Sequence, residues 1–493
     1  MILKRLYDEK LAQASYLIGC SHAGEAIVID ANRDIQQYVS LAKAEGLTIT
    51  HVTETHIHAD FVSGSRELAA RSGATLHLSD EGDANWKYSY ARDSAAKPLR
   101  ESDSINIGEV RISVMHTPGH TPEHLSFLIT DTARAEEPMG MVTGDFLFVG
   151  DVGRPDLQEK AAKMGGTMEA AARTLHGSLG RLAALPDWLQ VWPGHGAGSA
   201  CGKGMSAVPQ STLGYERRFN WAFAAPSEID FVRTVLAGQP EPPKYFAEMK
   251  RINKEGPKIL DGFSRPELLD GKRYSEYSNR PHSLVVDTRP AAQFATGHIP
   301  GTINIPLNKS FTTWAGWLIP YDRDVYLIAD CDSRVDEAVR DLAMIGLDRV
   351  MGYFDATVIQ SFAEHHGGLG VIAQTAPREL EEWIAQDTAR VIDVRGRAEW
   401  EAGHIPGVDN IPLGYLADRL SEIPRNKTIV LHCQGGGRSS IAASVLSAHG
   451  FANVVNLAGG FGKWESEGLP VEPLSTPALA ESEKKKEQIA SGS

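Results

Sequence analysis

Apolar positions along the chain follow two different rules. In the first half, short runs such as AIVID (from Ala26) and LTITHV (from Leu47) predict strands separated by turns. Leu175, Leu179 and Leu182 recur at i, i+4 and i+7, which predicts an amphipathic helix. In the second half the pattern repeats itself. VVDTRPAAQFATGHIPGTINIPL from Val285 and VIDVRGRAEWEAGHIPGVDNIPL from Val391 match without a gap at about half of their positions, 106 residues apart. Each copy reads as a buried strand ending in Asp-x-Arg, a GHIPG turn, a second strand (VYLIA or IVLHC) and a helix, an order that suits a parallel α/β sheet. The stretch GQPEPPK near 238–244 breaks structure where the first region hands over, and ESEKKKEQ with small polar residues predicts a solvated tail. The expected division is 1–250, 262–372, 376–474 and a flexible 475–493.

Composition narrows the class. A chain of 493 residues, 42% hydrophobic and 23% charged, is too long for one ordinary core and too well mixed for disorder. A net charge of -14 argues against a nucleic-acid partner, which needs a basic footprint. MILKRLYDEK lacks an apolar stretch behind its basic residues, and no apolar run is long enough to span a membrane, so a cytoplasmic protein without membrane contact is expected. Four scattered cysteines, Cys20, Cys201, Cys331 and Cys433, give neither a disulfide framework nor a structural zinc motif.

The candidate chemistry of the first region lies in four segments. THIHADF carries His56, His58 and Asp60, HTPGHTPEH carries His116, His120 and His124, TGDFLFVGDVGRPD carries Asp145, and WPGHG carries His195. In their order and local sequence these segments resemble the metallo-β-lactamase superfamily, which implies a four-layer αββα sandwich with loops converging on one metal cleft. Hydrolytic members, such as glyoxalase II, carry a histidine after the aspartate of the first motif. That histidine helps to hold a second metal, and here Phe61 takes its place.

The first 220 residues or so, with GHGAGSACGK and STLGYERRFNW, also resemble the persulfide dioxygenases of the superfamily that are fused to rhodaneses. Carried over, this resemblance implies one Fe(II) per chain held by His56, His120 and Asp145, a facial set that leaves room for a sulfur ligand and O2. His58, Asp60 and His195 would then orient ligands and water. Arg154 matches a family arginine near the thiol-binding cleft, with Arg217 and Arg218 as similar or capping candidates. Cys201 is either a sulfur carrier beside the metal or an inert buried thiol. The alternative is a zinc thioesterase of the glyoxalase II type.

In the last repeat, IVLHCQGGGRSS places Cys433 at a strand end, followed by Gln434, Gly435, Gly436, Gly437 and Arg438. Such a loop aims backbone N–H groups and a helix N-terminus at the sulfur and favours an anion there. It resembles the rhodanese active-site loop, which implies a catalytic Cys433 and Arg438 and sulfane-sulfur transfer. Asp393 and Arg395 are expected to tie strand to loop. The first copy departs from this pattern, since Arg334 aligned with Arg438 puts Ala329 opposite Cys433, and Cys331 is displaced between carboxylates that disfavour its thiolate. An inactive spacer or docking domain is expected there. The implied partners are a low-molecular-weight thiol persulfide, O2 and thiosulfate or sulfite, in a homo-oligomer.

Overall fold

The computed structural model describes residues 1–160 and 165–472; the expected tail, 475–493, lies outside them. The chain forms two compact units. The first contains Met1–Pro266, Asn308–Arg323 and Asp332–Val350, and the second Glu267–Leu307, Asp324–Cys331 and the chain from Met351. The segment expected as the first repeat is therefore shared between the units, with its helices Phe311–Leu318 and Asp332–Met344 belonging to the first.

The first unit is built on two six-stranded sheets. One runs in sequence order through Ile2–Asp8, Gln13–Cys20, Glu25–Ile29, Thr48–Thr53, Thr75–Ser79 and Lys97–Leu99. The other is ordered Ser211–Thr212, Gln190–Pro193, Gly140–Gly144, Leu125–Asp131, Val110–His116 and Ser104–Ile107. Period-2 alternation sorts side chains to the two faces of each sheet. In Gln13–Cys20, for instance, Ala14, Tyr16, Ile18 and Cys20 point into a core shared with Ile112, Phe127, Ile129 and Trp192, which lies between the sheets. Leu17 points the other way, into a core with Val28, Val52, Tyr38 and Leu68 under the helices Gln36–Ala44 and Ser65–Ser72. A third core covers the opposite sheet, where Leu175 and Leu179 of Met168–Arg181 meet Met141, Val191 and Phe231. Helix, sheet, sheet, helix is the αββα order that the sequence motifs imply. The predicted helix ends at Arg181, and Leu182 opens a single 3₁₀ turn.

The second unit holds the strands of both repeats. The last repeat has a parallel sheet ordered Ala373–Thr375, Val454–Leu457, Thr428–His432, Ala389–Asp393 and Asp409–Asn410. Its central strands are buried over Val391–Asp393 and Ile429–His432, as strands covered on both faces must be. In the first repeat Ser283–Asp287 pairs in parallel with Ile303–Asn304 and with Asp324–Ala329. No helix among the described residues is long and apolar enough to cross a membrane.

Candidate metal centre and sulfur-transfer loop

At the loop ends of the sandwich, donor atoms of His56, His120 and Asp145 lie within 4.8 Å of one another, all three residues buried. Their hydrogen bonds fix which atoms face the cleft. Thr55 Oγ1 gives its one proton to Asp30 Oδ2 (3.0 Å), so it accepts from His56 Nδ1 at 2.9 Å and leaves His56 Nε2 with a lone pair. His120 Nδ1 has only a carbonyl partner, Arg154 O at 3.1 Å, so it donates there and its Nε2 is likewise free. Both Nε2 atoms face Asp145 Oδ2, at 3.9 and 3.5 Å. Burial, reinforced by the neighbouring imidazoles, holds His56 well below the usual histidine pKa, and burial also lowers His120.

Asp145 carries the cleft's negative charge. It is 1% exposed, and neither of its carboxylate oxygens has a hydrogen-bond partner among the described residues. A buried carboxylate left in that condition is costly unless a cation completes it. The donor set therefore fits a divalent metal. The backbone nearby is tightly constrained. Gly144 has φ +50°, and a Cβ there would lie 2.6 Å from Thr55 Oγ1 and 2.8 Å from His124 Nε2. His124 Nε2 accepts from the Asp145 amide at 3.1 Å, so its Nδ1 carries the proton and donates to Thr117 Oγ1 at 2.9 Å. It therefore orients Asp145 instead of facing the cleft.

His195 Nε2 lies 3.2 Å from Asp60 Oδ2 and 3.4 Å from Asp145 Oδ1, while its Nδ1 donates to Ala12 O at 2.9 Å. Burial depresses His195, but Asp145 and Asp60 more than offset it and raise its pKa, the signature of a cleft that attracts cations. Asp60, His195 and Cys201 form a second group of potential donors within 4.8 Å. Burial, then the nearby Asp60 and Asp145, push the Cys201 thiol well up. His58 belongs to neither donor group, although its ring packs on that of His56, centroids 4.3 Å apart. Its Nε2 pairs with Asp30 Oδ1 at 3.1 Å, and its ring packs on Phe61, centroids 4.4 Å apart. Burial lowers the His58 pKa, yet Asp30 and neighbouring carboxylates raise it to about 9.

Arg154 corrects an expectation. It is wholly buried, with Nε and Nη2 on Asp156 at 3.0 and 2.8 Å and further bonds to Ala200 O and Pro240 O. A guanidinium so committed ties the Cys201 loop in place. Arg217 likewise caps, bonding Asp187 and the carbonyls of Leu182 and Leu185. Sequence motifs missed Asn253, on the helix Phe246–Glu255. Its Nδ2 donates to His58 O (2.8 Å) and Phe61 O (2.7 Å), and its Oδ1 accepts from Ser63 N (2.9 Å), so one side chain clamps the ligand loop. An asparagine in FAEMKRINKEG carries no local signal of a contact nearly two hundred residues away.

In the last repeat Cys433 follows its strand directly and is 2% exposed. Gly436 N reaches Sγ at 3.1 Å and Ser439 Oγ lies at 3.5 Å. Gly436, at φ +99°, caps the helix Gly437–Ala448, whose N-terminus begins beside the sulfur. Arg438 is gripped by Glu399 at 2.6 and 2.7 Å. Arg395 bonds Asp393, Gly403 O and, at 3.3 Å, Gln434 Oε1.

Comparison with known proteins agrees with this architecture. The metallo-beta-lactamase superfamily model matches residues 9–195, and the rhodanese-like domain model matches 271–361 and 376–467. A metallo-beta-lactamase from Staphylococcus aureus is 42% identical in a structural match with TM-score 0.65, covering 72% of this chain and 98% of that one. The chain belongs to the metallo-beta-lactamase superfamily. Two rhodanese-like domains follow its metallo-beta-lactamase domain. Among curated relatives of that domain, a mitochondrial persulfide dioxygenase ETHE1 of Bos taurus is 27% identical over 203 residues, 40% of this chain and 68% of the relative. A hydroxyacylglutathione hydrolase of Rhodospirillum rubrum is 28% identical over 240 residues, 48% of this chain and 80% of the relative. A metal site is what this superfamily fold and the His/Asp donors imply.

Proposed function

We propose that the chain oxidises a low-molecular-weight thiol persulfide at one ferrous ion held by His56, His120 and Asp145, and moves sulfane sulfur at Cys433. One observation carries the metal half: two imidazole lone pairs converge on a carboxylate that accepts no hydrogen bond among the described residues, while the residue after Asp60 is a phenylalanine packed on His58. A ferrous ion so held supplies positions for both a persulfide sulfur and O2, in the overall reaction RSSH + O2 + H2O giving RSH, sulfite and two protons. Thr55, Arg154 O and His124 hold the three ligands in their donor states. Asp60 and His195 face the same cleft with groups able to hold a proton or a water. At Cys433 the Gly436 amide and Ser439 hydroxyl hold the thiolate, which takes the outer sulfur of a donor to become a persulfide and releases sulfite or thiol. The bovine dioxygenase relative and the rhodanese-like domains support a shared sulfur chemistry.

One observation favours a second function, a zinc thioesterase with an attached sulfurtransferase. Asp60, His195 and Cys201 offer a second donor set where Phe61 offers none, and a hydrolase is among the relatives. Metal analysis of anaerobically purified protein, paired with oxygen consumption on glutathione persulfide, separates the two. We expect about one iron per chain and persulfide-dependent oxygen uptake, both lost in Asp145→Ala, since two neutral imidazoles hold a dication weakly. Two zinc ions per chain, with glutathione thioester hydrolysis and no oxygen uptake, would establish the thioesterase instead.

A further inference from the structure

The helices Phe311–Leu318 and Asp332–Met344 of the first rhodanese-like repeat lie in the same compact unit as the metal cleft, and contacts of the second fall on two turns beside that cleft. On one side the Val62 amide, two residues beyond Asp60, donates to Met344 O at 2.7 Å, at the C-terminal end of the helix Asp332–Met344. The turn that follows is equally close. Gly346 has φ +73°, and a Cβ there would stand 3.3 Å from a methyl of Val62 and 2.8 Å from one of Ile252. Ile252 precedes Asn253, the residue that clamps the same loop. On the other side Arg340 reaches Asp8 (2.8 Å) and Asp34 (2.9 Å), and Lys10 reaches Glu337 (2.6 Å) and Asp341 (2.5 Å). Asp8 in turn caps the amides of Lys10 and Leu11, in the turn whose next residue, Ala12, holds His195 Nδ1. Arg33 closes the ring on Asp348 and Ala343 O.

These charges are not a requirement of the rhodanese fold. The corresponding helix of the last repeat, GRSSIAASVLSA, has none beyond Arg438. We propose that the helix Asp332–Met344 is a positioning element of the metal centre: it holds the Val62 loop and the Asp8–Ala12 turn in register, and so sets the placement of Asp60 and His195 opposite Asp145. This rests on the assignment of the metal cleft but not on which reaction occurs there.

The test uses the full chain loaded anaerobically with ferrous iron, or with zinc where iron is not retained, and challenged with a chelator. Arg340→Ala is expected to speed metal loss about tenfold while leaving sulfur transfer from thiosulfate at Cys433 within twofold. The visible spectrum of cobalt(II)-substituted protein, a reporter of ligand geometry, should shift in Arg340→Ala and return toward wild type in Arg340→Lys. If Arg340→Ala does not fold, Lys10→Ala is read in the same assays. Unchanged metal loss and an unchanged cobalt spectrum in a folded variant overturn the proposal. A wild type that retains no metal overturns instead the cleft assignment beneath it.

Discussion

In the first rhodanese-like repeat Arg289 bonds Asp287 at 2.7 Å and Gly297 O at 3.1 Å; in the second, Arg395 bonds Asp393 at 2.7 Å and Gly403 O at 2.6 Å. The parallel continues. Asn304 donates to Asp287 O and Arg289 O, and Asn410 to Asp393 O and Arg395 O. His298 stacks on Phe294 and His404 on Trp400, each pair 3.9 Å apart. The divergence begins at one point, after the central strand. Ala329 stands where Cys433 stands, and the first helix begins at Asp332, three residues on, whereas the second begins at Gly437, four residues on. Opposite Asp332 is Gly436, whose left-handed backbone aims an N–H at sulfur. An L-residue seldom adopts that conformation. The difference teaches that a scaffold and its chemistry are separable: the Asp-x-Arg clamp serves the fold, and the glycine loop serves the sulfur.

The widest gap should be in activity. Cys433→Ser is expected to lower thiosulfate-dependent sulfur transfer at least about 10³-fold, because the attacking thiolate is gone while the oxygen uptake proposed for the metal cleft persists. Ala329→Cys should restore less than about 1% of the second repeat's activity, since Cys331, Asp332 and Ser333 replace the three glycines that would hold the anion and Asp330 and Asp332 add like charge beside it. Mass spectrometry after donor treatment should find one extra sulfur on Cys433. Finding it on Cys331 would mean that the two loops are wrongly paired.

Stability comes next. Asp287→Ala and Asp393→Ala each leave a guanidinium unpaired in a buried site, at a cost of about 3–5 kcal/mol. The second should cost more, since Arg395 is 2% exposed against 8% for Arg289. Urea unfolding of the two variants measures this, and a larger cost in the first repeat would show that the clamps are not equivalent.

Much of this molecule was legible in its sequence. The repeat exposed the two rhodanese-like domains because strand, GHIPG turn and strand are local features, and the four histidine and aspartate segments gave the sandwich because the superfamily spaces them along the chain. What stayed hidden depends on contacts between distant segments. Arg154 reads as a substrate-facing arginine until Asp156, Ala200 O and Pro240 O are seen to occupy it. Asn253 holds the loop after His58 by its backbone carbonyls, and Ala12 holds His195 through its own carbonyl, contacts that no side-chain pattern records. The charges of Asp332–Met344 carry no local sign of a partner, yet Arg340 and Asp341 are partnered with Asp8, Asp34 and Lys10.

The last contrast between the repeats is in their response to acid. His432, which precedes Cys433, is wholly buried, and neither ring nitrogen has a hydrogen-bond partner among the described residues. Asp393 Oδ2 lies 3.7 Å away, but burial outweighs it and lowers the His432 pKa to about 4 from the ordinary 6.5. The corresponding residue of the first repeat is Ile328, equally buried and unable to titrate. A histidine whose folded pKa is depressed is neutral in both states above 6.5. As pH falls through 6.5 toward 4, only the unfolded chain takes up the proton, so folding loses stability across that window. A pKa lowered from 6.5 to about 4 corresponds to about 3 kcal/mol lost by pH 4. His432→Ile, importing the first repeat's residue, should cost about 1 kcal/mol at pH 7 through imperfect packing. It should then lose about 3 kcal/mol less than wild type between pH 7 and pH 4, read as the difference between urea unfolding curves at the two pH values. An equal loss in both proteins would place the acid sensitivity elsewhere and remove His432 from the comparison.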